Sequence, residues 1–308
     1  MDYNPIIFAG CSYTWGEGLE LFQETPKWIE ARKSTQYHFD IQQITDESSN
    51  KFREENRFAG LVEKHYGIKS YVVEGNGGNL ASSIRHIEDT IDSGVHPKVI
   101  VIQQTNLNRN PYHYDYSCQC PTCLQCGWVS IFDFMDWINR YQNILMRQSH
   151  ETLEDLFTFK GSKQEYFRKL ANEAKINKKE TYESLYEKVT KLFLDLANRN
   201  IEKIIINKFK KLEKKHKLFF LGCWHEDSNN ILSQYDYITD RTIPLLGGDG
   251  KEYKDWTKWE KTLDNFSISS VHPYTDNNHP SLETHKIIAN SIINFFDKKS
   301  IKFKKDYI

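Results

Sequence analysis

The clearest indication of the fold is the segment Ile6-Ile7-Phe8-Ala9-Gly10-Cys11-Ser12-Tyr13-Thr14-Trp15-Gly16-Glu17-Gly18. An apolar strand runs directly into a turn of small residues that carries one serine. In α/β folds, a strand that ends in a tight turn presents a side chain at the carboxyl edge of the sheet. The stretch therefore predicts a buried strand that places the Ser12 hydroxyl at that edge.

A second motif lies near the other end of the chain, Asp276-Asn277-Asn278-His279-Pro280, ahead of an amphipathic C-terminal helix. A serine hydroxyl is a poor nucleophile at neutral pH, so it needs an imidazole to take its proton. The imidazole in turn needs a carboxylate that sets its tautomer and stabilises its cation. Ser12, His279 and Asp276 are therefore the candidate nucleophile, general base and orienting carboxylate.

Gly10-Cys11-Ser12 together with Asp276-x-x-His279 resembles the SGNH (GDSL-type) hydrolases, in a phage and bacterial variant that has Gly-Cys-Ser for the usual Gly-Asp-Ser. The resemblance covers the sheet core at both ends of the chain. It implies a flavodoxin-like three-layer α/β/α sandwich and a Ser12-Asp276-His279 triad that acts on carboxylic esters. The aspartate missing from this variant is not a triad member, so its loss changes the turn more than the chemistry.

The resemblance also implies donors for the oxyanion besides the Ser12 backbone N–H. Acyl transfer needs such donors, and the loss of one typically costs about a hundred- to a thousand-fold in rate. The family takes one donor from a glycine after the second strand, for which Gly78 is the first candidate and Gly77 the second. The family's Gly-x-Asn-Asp block is absent after the third strand, where Asn106 is the first candidate for a side-chain donor and Asn108 the second.

Other side chains are alternatives at this site. His272 lies in the same loop as His279 and is the alternative base. Cys11 is an alternative nucleophile, but alternation along the strand points it to the face opposite Ser12, which favours a small buried side chain. His285, inside the last helix, is expected to be a packed or surface residue.

Strand–helix alternation predicts a doubly wound parallel sheet in a single domain over residues 1–308. Five apolar runs predict the strands Ile6–Ala9, Ser70–Val73, Val99–Ile102, Leu218–Leu221 and Phe266–Ser269. Helical spacing of apolar residues predicts helices at Arg57–Tyr66, Leu80–Ile91, Thr181–Asn198 and Ser281–Phe296. Residues 107–216 are longer than a normal crossover, which predicts a helical insertion there.

The insertion contains a cluster of four cysteines, Cys118, Cys120, Cys123 and Cys126. Cys-x-x-Cys spacing lets two sulfurs bind one metal ion from a tight turn, which favours a structural zinc site without a catalytic role. Because four adjacent ligands crowd one another, His113 or Cys223 is an alternative ligand. An iron–sulfur cluster fits less well, since its usual runs lack Cys-x-Cys. The remaining alternative is that the four cysteines bind no metal and are either reduced or paired in disulfides. We expect no cofactor to be needed for catalysis.

Charge and hydropathy limit the classes of partner that the protein is expected to have. The 308 residues include 41 Lys and Arg against 42 Asp and Glu, a net charge of −1. This balance gives no general attraction to nucleic acid or to a membrane, and the lysine-rich stretches Lys203–Lys217 and Lys298–Lys305 are typical of a solvated helix face and a tail. No apolar run has the length of a membrane span or a signal peptide, so we expect a cytoplasmic protein, with association with a phage particle left open.

Together, these observations predict an esterase that removes an acyl group, such as acetyl, from a carbohydrate or another small ester. The alternative is a protein that keeps the fold without catalysis, for example a phage structural protein that binds sugars. A serine that reacts with an activated phosphonate would distinguish the first from the second.

Overall fold

The structure is a computed structural model that describes residues 5–33, 46–73, 80–105, 112–113, 128–129, 188, 191, 205–223, 235–272 and 278–303. Proximity of Cα atoms divides the chain into two compact units. One consists of Met1–Asn106 with Phe209–Ile308, and the other is Leu107–Lys208. The predicted helix Thr181–Asn198 and most of the predicted insertion lie outside the described residues, so both stay predictions.

A four-stranded parallel sheet in the order β2-β1-β3-β6 forms the centre of the first unit. Its strands are Ile6–Ala9 (β1), Ser70–Val72 (β2), Val99–Gln103 (β3) and Lys217–Leu221 (β6). Ile7 pairs with Tyr71 on one side and with Ile100 on the other. Every residue of β1 and β3 is buried, so both faces of the sheet are covered, as the unbroken apolar runs predict.

Helices occupy the connections. In the described residues they are Ser12–Trp15 (α1), Pro26–Ala31 (α2), Glu47–Asn56 (α3), Phe58–Tyr66 (α4), Leu80–Asp92 (α5), Asn207–Glu213 (α6), Asp236–Thr239 (α7), Trp256–Glu260 (α8), Ile268–Val271 (α9) and Leu282–Lys298 (α10), with a 3-10 turn at Leu19–Phe22. The helices predicted near α4, α5 and α10 are confirmed, with small differences at their ends. A short antiparallel ribbon pairs Leu245–Leu246 (β7) with Glu252–Tyr253 (β8).

The main core lies between the sheet, α4 and α10. Its buried side chains include Ile6, Phe8, Val99, Val101, Phe58, Ala59, Val62, Ile288, Ala289, Ile292 and Phe296. The α10 residues recur at the spacing of one helix face, so a single apolar stripe packs against the sheet and α4. Helix α5 packs against β1 and buries Leu80, Ile84 and Ile87.

The strand predicted at Phe266–Ser269 is wrong. Ser267 is instead the N-cap of α9: its hydroxyl accepts the Ser270 N–H at 3.2 Å, and the Ser270 hydroxyl accepts the Ser267 N–H at 3.1 Å. This reciprocal capping satisfies the backbone locally and competes with a sheet ladder. At the outer edge of β6, Thr242 forms an isolated parallel β-bridge with Phe220.

The second unit has few described residues. Tyr112–His113 (β4) pairs antiparallel with Trp128–Val129 (β5), in a register that places Tyr112 beside Val129. A search of the described part of the chain finds no helix with the length and apolar character needed to cross a bilayer.

Candidate active site

The candidate nucleophile lies at the point of the sheet where the order of the strands reverses. Ser12 is the first residue of α1, and Cys11 before it has an extended backbone, so the helix begins at the serine. Helix α1 follows β1, which lies between β2 and β3. The chain therefore adds β2 on one side of β1 and β3 on the other, which makes the end of β1 a topological switch point. Ligands of open α/β sheets bind in the crevice at such a point, outside the carboxyl ends of the strands.

Close packing fixes the turn before the serine. A Cβ on Gly10 would lie 2.3 Å from Thr14 Oγ1 and 2.8 Å from Gln103 Cβ, so only glycine fits there. The Thr14 hydroxyl donates to Gln103 Oε1 at 2.6 Å and ties α1 to β3. On the other side, the Ser83 hydroxyl of α5 donates to the Gly10 carbonyl at 3.4 Å. The position of Ser12 therefore depends on both neighbouring elements.

The structure brings the predicted base to the predicted nucleophile. His279 Nε2 lies 2.7 Å from Ser12 Oγ, across 267 positions of the chain. In the tautomer that carries its proton on Nδ1, His279 accepts the serine hydroxyl proton at Nε2. Ser12 is 2% exposed and the His279 side chain 17%, so the pair is largely shielded but open at the imidazole. This is the distance expected of a nucleophile and its general base.

The residue after the candidate nucleophile helps to hold the candidate base. The Tyr13 ring meets the His279 imidazole edge to face, with 5.0 Å between centroids. The Tyr13 hydroxyl donates to the Asn278 carbonyl at 3.1 Å, and the His279 carbonyl accepts the Ile268 N–H of α9 at 2.8 Å. The imidazole is thus oriented by α1 and by α9 together. Sequence reasoning missed Tyr13, although its place beside Ser12 was a usable signal.

The remaining predicted site residues lie outside the described part of the chain. They are Asp276, Gly77, Gly78 and Asn106, together with the proposed zinc ligands Cys118, Cys120, Cys123 and Cys126. Their roles stay predictions. The Ser12 backbone N–H belongs to the first turn of α1, where amides have no acceptor within the helix, which suits the role of oxyanion donor.

The alternative base, His272, and the alternative nucleophile, Cys11, have other surroundings. His272 packs on the Phe22 ring with 4.9 Å between centroids, and burial, followed by the charge of Arg32, lowers its pKa. Cys11 is fully buried among the core residues, and its Sγ lies 3.8 Å from Gln103 Oε1, as expected of a small buried side chain. The imidazole that reaches Ser12 Oγ is that of His279.

His285 is a packed histidine, as expected. It is fully buried, stacks on Phe58 and accepts the Phe58 N–H on Nδ1 at 3.2 Å. That amide belongs to the first turn of α4 and has no acceptor within its own helix, so His285 caps α4 from α10. Burial, followed by the charges of His279 and Arg57, lowers its pKa to about 3.

Glu17 is a site residue that sequence reasoning missed. Its Oε2 lies 3.4 Å from His279 Nε2, and its side chain is 8% exposed. The chain folds Glu17 back toward Ser12 because both neighbours have a left-handed backbone, Gly16 with φ of 83° and Gly18 with φ of 90°. The Glu17 N–H then donates to the Ser12 carbonyl at 3.0 Å. The Gly-Glu-Gly spacing was the available signal.

The described ranges contain no group of three or more His, Cys, Asp or Glu side chains placed to hold a metal ion. What the described site can do is proton transfer: an imidazole removes the proton of a serine hydroxyl beside a buried carboxylate. Comparisons with protein-family models, with curated proteins and with solved structures found no match. Function is therefore inferred from Ser12, His279 and their neighbours.

Proposed function

We propose that the chain is a serine hydrolase of the SGNH type that cleaves carboxylic esters. The observation that carries this proposal is the 2.7 Å distance between Ser12 Oγ and His279 Nε2. A serine on a helix N-terminus at the switch point of a parallel sheet, with an imidazole on its hydroxyl, has the geometry of an activated nucleophile.

The sheet supports the finer fold assignment that belongs to this proposal, a flavodoxin-like three-layer α/β/α sandwich. The order β2-β1-β3-β6 follows the doubly wound pattern of that fold. The parallel bridge between Phe220 and Thr242 continues this pattern at the β6 edge of the sheet. There the Phe220 N–H donates to the Arg241 carbonyl at 3.0 Å, and the Ile243 N–H donates to the Phe220 carbonyl at 2.8 Å.

In the proposed acylation step, Ser12 Oγ bonds to the acyl carbon while its proton passes to His279 Nε2. The carbonyl oxygen becomes an oxyanion, which accepts hydrogen bonds from the Ser12 N–H and, in this proposal, from the Gly78 or Gly77 N–H and the Asn106 amide. The tetrahedral intermediate collapses when the ester C–O bond breaks, and His279 returns its proton to the leaving alcohol.

Deacylation repeats the sequence with water. His279 takes a proton from the water that attacks the acyl-enzyme, and the proton returns to Ser12 Oγ as the acid leaves. Asp276 has the proposed role of orienting His279 from the other ring nitrogen. The proposed substrate is an acylated carbohydrate or another small ester, and the exposed side of His279 gives the alcohol a way out.

A fluorophosphonate probe tests the proposal, because it forms a covalent bond only with an activated serine. We expect labelling of Ser12, located by mass spectrometry, and hydrolysis of p-nitrophenyl acetate. Ser12→Ala abolishes both, and His279→Ala lowers the rate by about 10²- to 10⁴-fold, the usual contribution of a general base. Circular dichroism is the check that both variants remain folded.

Cys11→Ala is the matched control, because Cys11 is the neighbouring nucleophilic side chain and is fully buried. It should keep the label and most of the activity. A wild-type protein that takes no label would contradict the proposal and favour the alternative of a binding or structural protein. Hydrolysis of p-nitrophenyl acetate that survives Ser12→Ala but not Cys11→Ala would assign the nucleophile to the cysteine.

A further inference from the structure

We propose that Glu17 is a positioning residue of this site, because its buried carboxylate lies beside His279 Nε2 and stabilises the positive charge that the imidazole carries during catalysis. The inference rests on the proposed function, and it assigns a role to a carboxylate outside the predicted triad. Two observations carry it: the 3.4 Å between Glu17 Oε2 and His279 Nε2, and the burial of the Glu17 side chain, which is 8% exposed.

The location of the carboxylate is built into the backbone. Gly16 ends α1 in a left-handed conformation with φ of 83°, and its N–H donates to the Ser12 carbonyl at 2.9 Å. Gly18 has φ of 90° and is the N-cap of the following 3-10 turn, where its N–H donates to the Glu20 carboxylate at 3.1 Å. Glu17 lies between these two fixed points, so its side chain has little freedom to leave the neighbourhood of the serine.

The effect of Glu17 depends on the protonation state of Nε2. While His279 is neutral with a lone pair on Nε2, the ring accepts the Ser12 hydroxyl at 2.7 Å and gains nothing from a carboxylate. Once the serine proton has moved to Nε2, the ring carries a positive charge 3.4 Å from Glu17 Oε2, while its N–H remains directed at Ser12 Oγ and the leaving alcohol. A buried negative charge at this distance stabilises the cation more than a solvated one would. Glu17 therefore favours the state that the reaction forms.

Other titratable groups face His279 from the packed elements. Tyr13 of α1 contacts the ring edge to face with 5.0 Å between centroids, and its hydroxyl is bonded to Asn278 at 3.1 Å. His285 of α10 is held neutral by burial, with its pKa lowered to about 3. The predicted Asp276 acts on the other ring nitrogen in the proposed mechanism. Glu17 is thus the carboxylate that the described residues place beside Nε2.

Glu17→Gln tests the inference, since the amide keeps the shape of the side chain and removes its charge. We expect the acid limb of the kcat/KM profile for p-nitrophenyl acetate to move to lower pH by about one unit, and the plateau rate to fall about tenfold. NMR of the His279 ring, assigned by the loss of its signals in His279→Gln, should show its titration moving in the same direction. A residue that only packs would leave both midpoints in place.

The matched control is Glu24→Gln, which removes an exposed carboxylate of the same segment, paired with Arg32 at 3.0 Å. It should leave the acid limb and the ring titration unchanged. Glu17→Asp, which keeps the charge but withdraws it from the ring, should give a smaller shift of the same sign and serves if the glutamine variant does not fold.

The outcomes separate this inference from the proposed function. A folded Glu17→Gln protein with the wild-type acid limb and the wild-type ring titration overturns the role of Glu17 and leaves the esterase proposal intact. A wild-type protein that takes no fluorophosphonate overturns the proposed function. The ring titration can still shift in that case, because it does not depend on turnover.

Discussion

Two segments, named for the proposed roles of Ser12 and His279, are held in place by different means: the nucleophile segment, residues 6–18, and the base segment, residues 265–272 with 278–285. The first is a buried strand followed by a turn in which Gly10 has no room for another atom. The second is held mainly by hydroxyl groups: Ser281 donates to the Asn265 carbonyl at 2.6 Å, and Thr284 donates to the Phe266 carbonyl at 2.8 Å. Close packing at Gly10 is the main constraint on the serine, beside the Thr14 and Ser83 hydrogen bonds. Hydrogen bonds are the main constraint on the histidine, beside its contact with the Tyr13 ring.

The two kinds of support respond differently to change. An added methyl group in a close-packed region forces neighbours to move and typically costs about 1–3 kcal/mol. The loss of one hydrogen bond costs about 1 kcal/mol, and its neighbours hold most of the geometry. We therefore expect the nucleophile segment to be intolerant of small changes and the base segment to lose function in small steps.

Gly10→Ala is the strongest test of this difference. Its Cβ would lie 2.3 Å from Thr14 Oγ1 and 2.8 Å from Gln103 Cβ, so α1 must shift together with Ser12. We expect a loss of about 3 kcal/mol in the free energy of unfolding. The rate of p-nitrophenyl acetate hydrolysis should fall about a hundredfold, the effect of a displacement of about 1 Å at a reacting atom. Urea unfolding and steady-state kinetics measure the two effects.

Gly67→Ala is the control for a generic effect of losing a glycine. Gly67 ends α4 with φ of 62°, and a Cβ there would meet no heavy atom within 4 Å. It should cost about 1 kcal/mol through its backbone conformation and leave the rate unchanged. Equal effects of the two substitutions on the rate would show that space at Gly10 does not position the serine.

The same contrast explains what the sequence can and cannot predict. The runs that became β1 and β3 are continuous and apolar, and burial on both faces of a parallel sheet produces that pattern directly. The run at Phe266–Ser269 has apolar residues too, but its serines cap α9 instead. Apolar character reports burial, and it does not report whether a side-chain hydroxyl will replace a strand partner.

At the site, a resemblance in motif predicted Ser12 as nucleophile and His279 as base, and the structure brings these two side chains together. It did not reveal Glu17, whose position depends on the left-handed backbone of Gly16 and Gly18. A glycine permits such a conformation but does not require it. Tyr13 was missed for a different reason: its hydrogen bond to the Asn278 carbonyl joins positions that are distant in the chain.

The C-terminal region also contains a buried histidine, His285 of α10, whose protonation affects stability. His285 is buried and neutral, with a pKa lowered to about 3 in the folded protein, against about 6.5 in an unfolded chain. As the pH falls below 6.5, the unfolded state binds a proton that the folded state does not, so acid favours unfolding. Between pH 7 and pH 5 this residue should remove about 2 kcal/mol from the free energy of unfolding.

His285→Asn should remove that dependence, because its Oδ1 can accept the Phe58 N–H as Nδ1 does and does not titrate. We expect the variant to lose about 2 kcal/mol less than the wild type between pH 7 and pH 5, even if it is less stable at pH 7. Urea unfolding at both pH values measures this. His86→Asn, on the exposed side of α5, is the control and should keep the wild-type slope. A variant as acid-sensitive as the wild type would assign the effect to other groups.

The smallest expected effect tests the base segment itself. Ser281 caps α10, where its hydroxyl accepts the Thr284 N–H at 3.3 Å, and it also donates to the Asn265 carbonyl at 2.6 Å. Ser281→Ala removes both bonds two residues after His279 and should cost about 1 kcal/mol in stability. Because Tyr13 and Ile268 still hold the Asn278 and His279 carbonyls, we expect kcat/KM to fall only a fewfold and fluorophosphonate to label Ser12 at a reduced rate.

Ser93→Ala is the matched control for this last change, since the Ser93 hydroxyl is exposed and donates within its own turn to the Thr90 carbonyl at 2.7 Å. It should leave labelling and kcat/KM unchanged. If Ser281→Ala instead abolished labelling while the protein stayed folded, one hydroxyl would control the imidazole as strictly as packing controls the serine. The two segments would then differ in the kind of contact that holds them, but not in their tolerance of its loss.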